Sequence, residues 1–196
     1  MKKFFIVIGV LVFLGLIGYG WVTGTYNNFV KLDQQAKTQW GQVENVYQRR
    51  ADLVPNLVET VKGYAAHEKG VFQAVTEARA KVGQIQIDPT NMTPEMFAQY
   101  QAAQGELTQA LSRLLVVVEN YPQLKASENF LVLQSQLEGT ENRITVERRR
   151  YNEVVQEYNT AIKKFPSCIL AGIFDFKEKP YFQAAPGSEK APVVKF

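Results

Sequence analysis

Arg49-Arg50-Ala51-Asp52-Leu53-Val54-Pro55-Asn56-Leu57-Val58 is the stretch on which the fold of this chain turns. Around it, apolar or small residues recur at Trp40, Val43, Tyr47, Val54, Leu57, Val61, Tyr64, Val71, Val75, Ala78 and Val82. Steps of three and four residues and their sums put these positions on one stripe of a helix, the pattern of a bundle or coiled-coil face. The spacing predicts one long helix from Tyr26 to about Val82. Pro55 lacks a backbone N–H and clashes with the carbonyl of Ala51, so either the helix kinks there or Asp52 caps a fresh one. Gly63 and Gly70 weaken the helix by about 1 kcal/mol each relative to Ala. Because the stripe keeps its phase through all three positions, the expectation is a kinked but continuous rod.

Towards the C-terminus, Gly83 to Met92 reads as a loop, with Asp88-Pro89 and Asn91 as turn formers. Thr93-Pro94-Glu95 then supplies a hydroxyl cap, a first-turn proline and an acid facing the helix dipole. The second stripe is Phe97, Tyr100, Ala103, Leu107, Ala110, Leu114 and Val118, ending at Asn120-Tyr121-Pro122. A third helix, capped by Ser127 and running to about Lys164, carries Phe130, Leu133, Leu137, Ile144, Tyr151, Val154, Tyr158, Ile162 and Phe165. It is longer than the second, so three simple rods leave one end uncovered. Bending back of the first helix, a mere bend at Pro122, or a second chain would each cover it. Phe165 to Phe176 is apolar but interrupted by Pro166 and Gly172, and too short to span a bilayer. It is read as covering the open end of the bundle, with contact to a membrane surface as the sharper alternative. From Lys177 onward, Pro180, Pro186-Gly187-Ser188 and Pro192 indicate a flexible tail.

Towards the N-terminus, Phe4 to Val22 holds no charged residue. At ~1.5 Å per residue it approaches the ~30 Å thickness of bilayer hydrocarbon. Lys2 and Lys3 precede it, and Tyr19, Trp21 and Tyr26 sit where interfacial aromatics are favoured. The run is long for a signal-peptide core, and Gly18-Tyr19-Gly20-Trp21 is not a convincing small-x-small cleavage site, so a retained anchor is expected. The leading lysines favour a cytoplasmic N-terminus and an extracytoplasmic body, opposed in part by Lys31 and Lys37.

The 196 residues allow one ordinary domain plus this anchor, and a net charge of +3 with interleaved signs describes a solvated helical surface. No nucleic-acid partner is expected, because that needs a concentrated basic face. Cys168 is the only cysteine and His67 the only histidine, which excludes an internal disulfide and a cysteine metal cluster. His67-Glu68 lacks the second histidine of a metalloprotease helix, since position 71 is Val. Ser112, Ser127 and Ser135 have no glycine elbow, and carboxylates such as Glu141 and Glu147 have charged neighbours that favour solvation. Neither a cofactor nor catalysis is expected. Cys168 reads as a small buried apolar residue.

Two polar groups remain. Arg49, Arg50, Asp52, Pro55 and Asn56 form a candidate interaction surface near the proline. The competing structural reading has Asp52 capping or pairing with arginine while Asn56 bridges to a neighbouring helix. Glu141, Asn142, Arg143, Arg149 and Asn152 are candidate interhelical polar contacts within a charged zone that includes Arg148 and Arg150. The Tyr-Asn pairs beginning at Tyr26, Tyr151 and Tyr158 are expected to put rings on the seam and amides at its edge.

With these residues in view, the chain resembles the LemA family of bacterial membrane-anchored proteins from the anchor to about Phe176. The likeness rests on Arg49 to Val58, Val61-Lys62-Gly63-Tyr64, His67-Glu68, Glu77-Ala78-Arg79 and Tyr121-Pro122-Gln123-Leu124-Lys125. It continues through Phe130, Leu137 to Ile144, Arg149, Tyr151-Asn152, Tyr158-Asn159 and Phe165-Pro166. The resemblance implies an N-terminal transmembrane helix and an elongated antiparallel bundle, and no established catalytic activity. The expectation is therefore an all-α chain with three to four bundle helices. Residues 1–3 would be cytoplasmic, 4–24 transmembrane, 25–176 the bundle and 177–196 a flexible tail. Function would be non-enzymatic: a single-pass scaffold or adaptor of the bacterial inner membrane, homo-oligomeric through lateral association of tethered copies. The alternative is a regulatory or partner subunit of a membrane enzyme such as a protease, and a hydrolase is the least favoured class.

Overall fold

A computed structural model describes residues 2–184, and all regular structure in that span is helical. The elements are α1 (Lys2–Lys62), α2 (Lys69–Gln84), α3 (Pro94–Val118), α4 (Pro122–Lys125), α5 (Glu128–Lys163) and α6 (Ser167–Ile173). The expected all-α architecture with an elongated antiparallel bundle is what the chain forms.

The side-chain pairs give the topology. Gln39 meets Glu147 and Arg50 meets Glu141, so α1 and α5 run antiparallel. Lys81 meets Glu106, and with residues 74–81 and 106–113 lining one groove across the short 85–93 connection, α2 and α3 form an antiparallel hairpin. Trp40 packs on Phe97 while Arg50 reaches Gln104, so α3 runs in the same direction as α1. The chain thus passes up, down, up and down, with α1 and α5 as long rods and α2 and α3 as a shorter hairpin. Both of the latter lie toward the far end from the apolar N-terminal segment.

The continuous rod expected from Tyr26 to Val82 is corrected. A single helix runs from Lys2 through the apolar segment and Pro55, then stops at Lys62, and α2 returns. Residues 63–68 turn the chain around buried Ala65, where Gly63 lowers the cost of leaving the helix. The stripe hid this reversal because Val61 before the turn and Phe72, Val75 and Ala78 after it face the same core. Pro55 is accommodated inside α1 by a specific exchange. The carbonyl of Ala51, which would have accepted from residue 55, accepts from Arg79 Nε of α2 at 2.9 Å.

The expectations at Thr93 and Asp88 are met in detail, and that at Ser127 in position only. Thr93 Oγ1 accepts from the Met96 amide at 3.2 Å, and Asp88 organises the preceding loop by accepting from the Thr90 amide at 2.8 Å. Ser127 occupies the cap position of α5 without a side-chain capping bond.

Three apolar clusters stack along the rod. The far one is aliphatic: Val54, Leu57, Val61, Val75, Leu107 and Leu114, among others. The middle one is aromatic, built from Trp40, Tyr47, Phe97, Tyr100, Tyr151 and Phe182. The third, beside the end of the apolar segment, joins Phe29, Tyr158, Ile162, Leu170 and Ala171, with Val22 and Phe176 packed against it.

Phe182 in the middle cluster overturns the expectation of a flexible tail starting at Lys177. Residues 177–184 leave α6 and run back along α5, and they cover the long helices where the α2–α3 hairpin stops. The physical reason is burial: the Phe182 ring is 7% exposed and packs on Trp40, Phe97 and Tyr151. The remainder of the expected tail, 185–196, lies outside the described residues, as does Met1 of the expected cytoplasmic end.

Candidate functional site

Consecutive helical residues point about 100° apart, and the adjacent arginines are divided accordingly. Arg49 is exposed, whereas Arg50 is 2% exposed in the centre of the bundle. Arg50 Nη1 donates to Thr108 Oγ1 and Glu141 Oε1, both at 2.9 Å. Its Nη2 donates to the Gln104 side-chain oxygen and to the Gln104 carbonyl at 3.3 Å. The guanidinium also lies 5.0 Å from the Tyr47 ring centroid. One side chain therefore ties α1 to α3 and α5, and a buried charge with directional partners pins the register of the three helices. This removes Arg50 from the candidate interaction surface: it is an internal tie.

Arg49, Asp52, Pro55 and Asn56 stay together on the outer face of α1, all exposed. Asp52 accepts from Gln48 Nε2 at 2.8 Å on its own helix. It neither caps a helix nor pairs with Arg50, so the competing structural reading of this residue fails. The face is held by what lies behind it, since Arg50, Ala51, Val54, Leu57 and Val58 are all buried.

In the charged zone of α5, the structure keeps part of the expected set. Glu141 makes the interhelical bond to Arg50. Asn142 and Arg143 are exposed, and Arg149 pairs along its own helix with Glu153 at 3.7 Å, so these three are not interhelical contacts. Glu147, by contrast, accepts from Gln39 Nε2 of α1 at 2.7 Å.

Asn152 holds the C-terminal segment, not another helix. Its Nδ2 donates to the Phe182 carbonyl at 3.0 Å and its Oδ1 accepts from the Phe182 amide at 2.8 Å. Asn159, which sequence reasoning did not single out as a contact, does the same with Lys179 at 2.9 and 3.0 Å. The two asparagines are seven residues apart on α5, about 10.5 Å at ~1.5 Å per residue. Three residues of polyproline-like chain cover about 9.3 Å and return to the same face. Pro180, between the two bonded residues, has no N–H to satisfy and favours that backbone. The two spacings match, so each amide meets both backbone groups of one tail residue.

Further contacts close the segment. Tyr158 OH donates to the Lys177 carbonyl at 2.9 Å, and Arg148 Nη2 donates to the Gln183 carbonyl at 2.8 Å. Arg148 also lies over the Phe182 ring at 4.7 Å. Lys179 Nζ reaches Asp33 of α1 at 2.9 Å. Burial pulls the Asp33 pKa upward, but hydrogen bonds from Lys37 and Lys179 outweigh it and hold the carboxyl below its ordinary value. Burial pushes the Tyr158 phenol up to about 12, with the Asp33 charge adding to it. It raises Tyr100 and Tyr151 as well, so these phenols serve as neutral core groups. The expected division of the Tyr-Asn pairs holds at Tyr151, whose ring is buried while Asn152 is half-buried; at Tyr158 the ring and the Asn159 amide are both buried. Tyr26 is 38% exposed and instead packs on Phe174 and Phe176.

His67 is exposed in the α1–α2 turn, and Cys168 is half-buried in α6 where a buried thiol was expected. Near the end of the apolar segment a groove of about 770 Å³ opens between α1 and α5, lined by Gly24, Thr25, Asn28, Lys164 and Phe165 among others.

A family model described as the LemA family matches residues 39–196. Magnetosome protein MamQ of Magnetospirillum gryphiswaldense is 29% identical over 186 residues, covering 86% of this chain and 68% of that protein. Magnetosome protein MamQ 2 of Paramagnetospirillum magneticum is 28% identical over the same shares. Protein LemA of Metamycoplasma hominis is 23% identical, covering 94% of this chain and 80% of that protein. None of these names carries an enzymatic activity.

Proposed function

The chain belongs to the LemA family, and from that premise we propose that it is a single-pass, membrane-anchored helical scaffold that works by protein–protein association without catalysis. One observation carries this reading. The same unbroken helix, α1, begins as a fully exposed apolar segment long enough to cross a membrane and continues into the face bearing Arg49, Asp52, Pro55 and Asn56. An uninterrupted helix transmits position and orientation, so the anchor fixes how far from the bilayer this face stands and which way it looks. Asp52 lies 30 residues beyond Val22 in the sequence, or about 45 Å along the helix axis at ~1.5 Å per residue.

The scaffold role is supported further by how the face is braced. The Arg50 tie and the Arg79 bond to the Ala51 carbonyl fix the backbone immediately behind Asp52. A rigid, pre-formed polar face loses little freedom when it docks. Copies tethered to one membrane also meet at raised effective concentration, so association with itself is the first partner to test. The body would stand on the extracytoplasmic side of the bacterial inner membrane, following the lysines that precede the span.

A photo-crosslinking residue in place of Asp52, compared with one in place of Glu138 on exposed α5, tests the reading in intact membranes. The Asp52 probe is expected to give a discrete adduct with a second copy or with one membrane protein. Asp52→Ala should leave helicity and melting unchanged. Absence of any adduct at Asp52, or equal adducts at both probes, would remove the association reading.

A further inference from the structure

Beyond Tyr26, the largest group of exposed large apolar side chains among the described residues is Phe165, Ile169, Ile173 and Phe174, which are 78%, 55%, 68% and 45% exposed. These residues belong to α6 and its flanks. The opposite side of α6 is already used, since Leu170 and Ala171 are buried against Phe29, Tyr158 and Ile162. A short helix that is apolar on both sides, packed on only one, has a second surface that water does not suit.

The position of that surface is set by its neighbours. Val22, at the end of the apolar stretch that begins at Phe4, packs against the Leu170–Ala171 cluster, and the Tyr26 ring lies 4.9 Å from Phe174. If α1 leaves the bilayer near Val22, α6 sits at the height of the headgroups by construction. From these contacts we infer that α6, with Phe165 and Phe174, is a second membrane contact: Phe165, Ile169, Ile173 and Phe174 enter the boundary between headgroups and acyl chains of the leaflet nearest the folded body. The inference rests on the reading of α1 as a spanning helix.

Its consequence is orientational. One helix through a bilayer is free to tilt and rotate, whereas a span with an adjoining apolar foot is not. The charges beside the foot are mixed: Lys163 pairs with Glu178, and Lys177 with Asp175. Insertion therefore depends on the apolar side chains and needs no anionic lipid.

The full chain carrying Cys168→Ser, reconstituted in phosphatidylcholine bilayers, tests this. Spin labels are placed through Ile173→Cys, Glu138→Cys as a solvent reference and Phe13→Cys inside the span. The ratio of oxygen to aqueous-nickel accessibility at position 173 is expected to lie severalfold above that at 138 and below that at 13. A ratio at 173 equal to that at 138, with 13 shielded from nickel, would overturn the inference and leave the span standing. A water-accessible position 13 would overturn both. Spin–spin broadening at 173 that vanishes on dilution with unlabelled chain would give the surface to a second copy and overturn the lipid assignment. The paired change Ile169→Ser and Ile173→Ser should release the restraint on tilt, read as broader orientation of a label at Glu138→Cys in aligned bilayers. Unchanged orientation would count against the foot.

Discussion

The aliphatic end of the rod and the aromatic middle are held by different means. At the far end, Val54, Leu57, Val61, Val75, Leu107 and Leu114 are helix stripes facing one another. Their burial is distributed over many interchangeable contacts. In the middle, Trp40, Phe97 and Tyr151 surround Phe182, a residue from a non-helical segment held by asparagine amides. The far end needs only periodicity. The middle needs one particular side chain, delivered by backbone bonds from the opposite end of the described chain. Substitutions at the two places should therefore differ in what else they disturb, even where they cost similar stability.

The largest effects test that contrast directly. Trp40→Ala removes the ring that touches Phe97, Tyr100, Tyr151 and Phe182, and should cost about 3–5 kcal/mol. Leu114→Ala, at a position with no solvent exposure, should cost about 2–5 kcal/mol. Denaturant unfolding of the full chain in detergent measures both. Hydrogen exchange at the Lys179 and Phe182 amides should separate them. Trp40→Ala speeds exchange there beyond its effect on global stability, while Leu114→Ala does not. Equal local exchange in the two variants would mean that the tail is not part of the middle core.

Next in size are the asparagines. Asn152→Ala and Asn159→Ala each delete two hydrogen bonds, so each should cost about 1–3 kcal/mol, from ~0.5–1.5 kcal/mol per bond. Because both amides hold one segment, the double variant should cost less than the sum of the single ones. Thermal unfolding of the three variants measures the coupling. Strict additivity would show that Lys179 and Phe182 dock independently and that the segment is not a unit.

Much of the fold was legible because helix periodicity survives in side-chain type alone. The four-residue steps and the Thr93 cap located the helices. What escaped had two causes. The reversal at residues 63–68 left the stripe in phase, since both arms face one core, and periodicity cannot register direction. The docking of residues 177–184 rests on backbone groups, which have no signature in sequence, and its one proline, Pro180, read as flexibility. The inner polar site did carry a signal. Arg50 lies three after Tyr47 and four before Val54, and Gln104 lies four after Tyr100 and three before Leu107. Polar residues in stripe positions mark buried partners, and that rule would have moved Arg50 off the outer face. Asn159, four after Val155 and three before Ile162, follows the same rule and is buried with them.

The smallest effect separates the tail from the rest of the middle by pH. The Asp33 carboxyl receives Lys179 from the tail and Lys37 from its own helix, and its pKa lies below the ordinary value. A depressed carboxylate contributes stability that is complete above the unfolded value of about 3.9 and is lost as pH falls through the folded value. Acidification below about pH 4 should then speed exchange at the Lys179 amide. Glu44, beside the aromatic core, acts with the opposite sign. Burial raises its pKa, so protonation relieves a cost and steadies the core as pH falls. The two trends are told apart by Asp33→Asn. That variant should begin with faster exchange at neutral pH and show none of the further loss on acidification, while any gain from Glu44 persists. If the wild-type profile below pH 4 is matched by Asp33→Asn, the Lys179 bridge contributes nothing measurable, and the asparagines alone hold the segment in place.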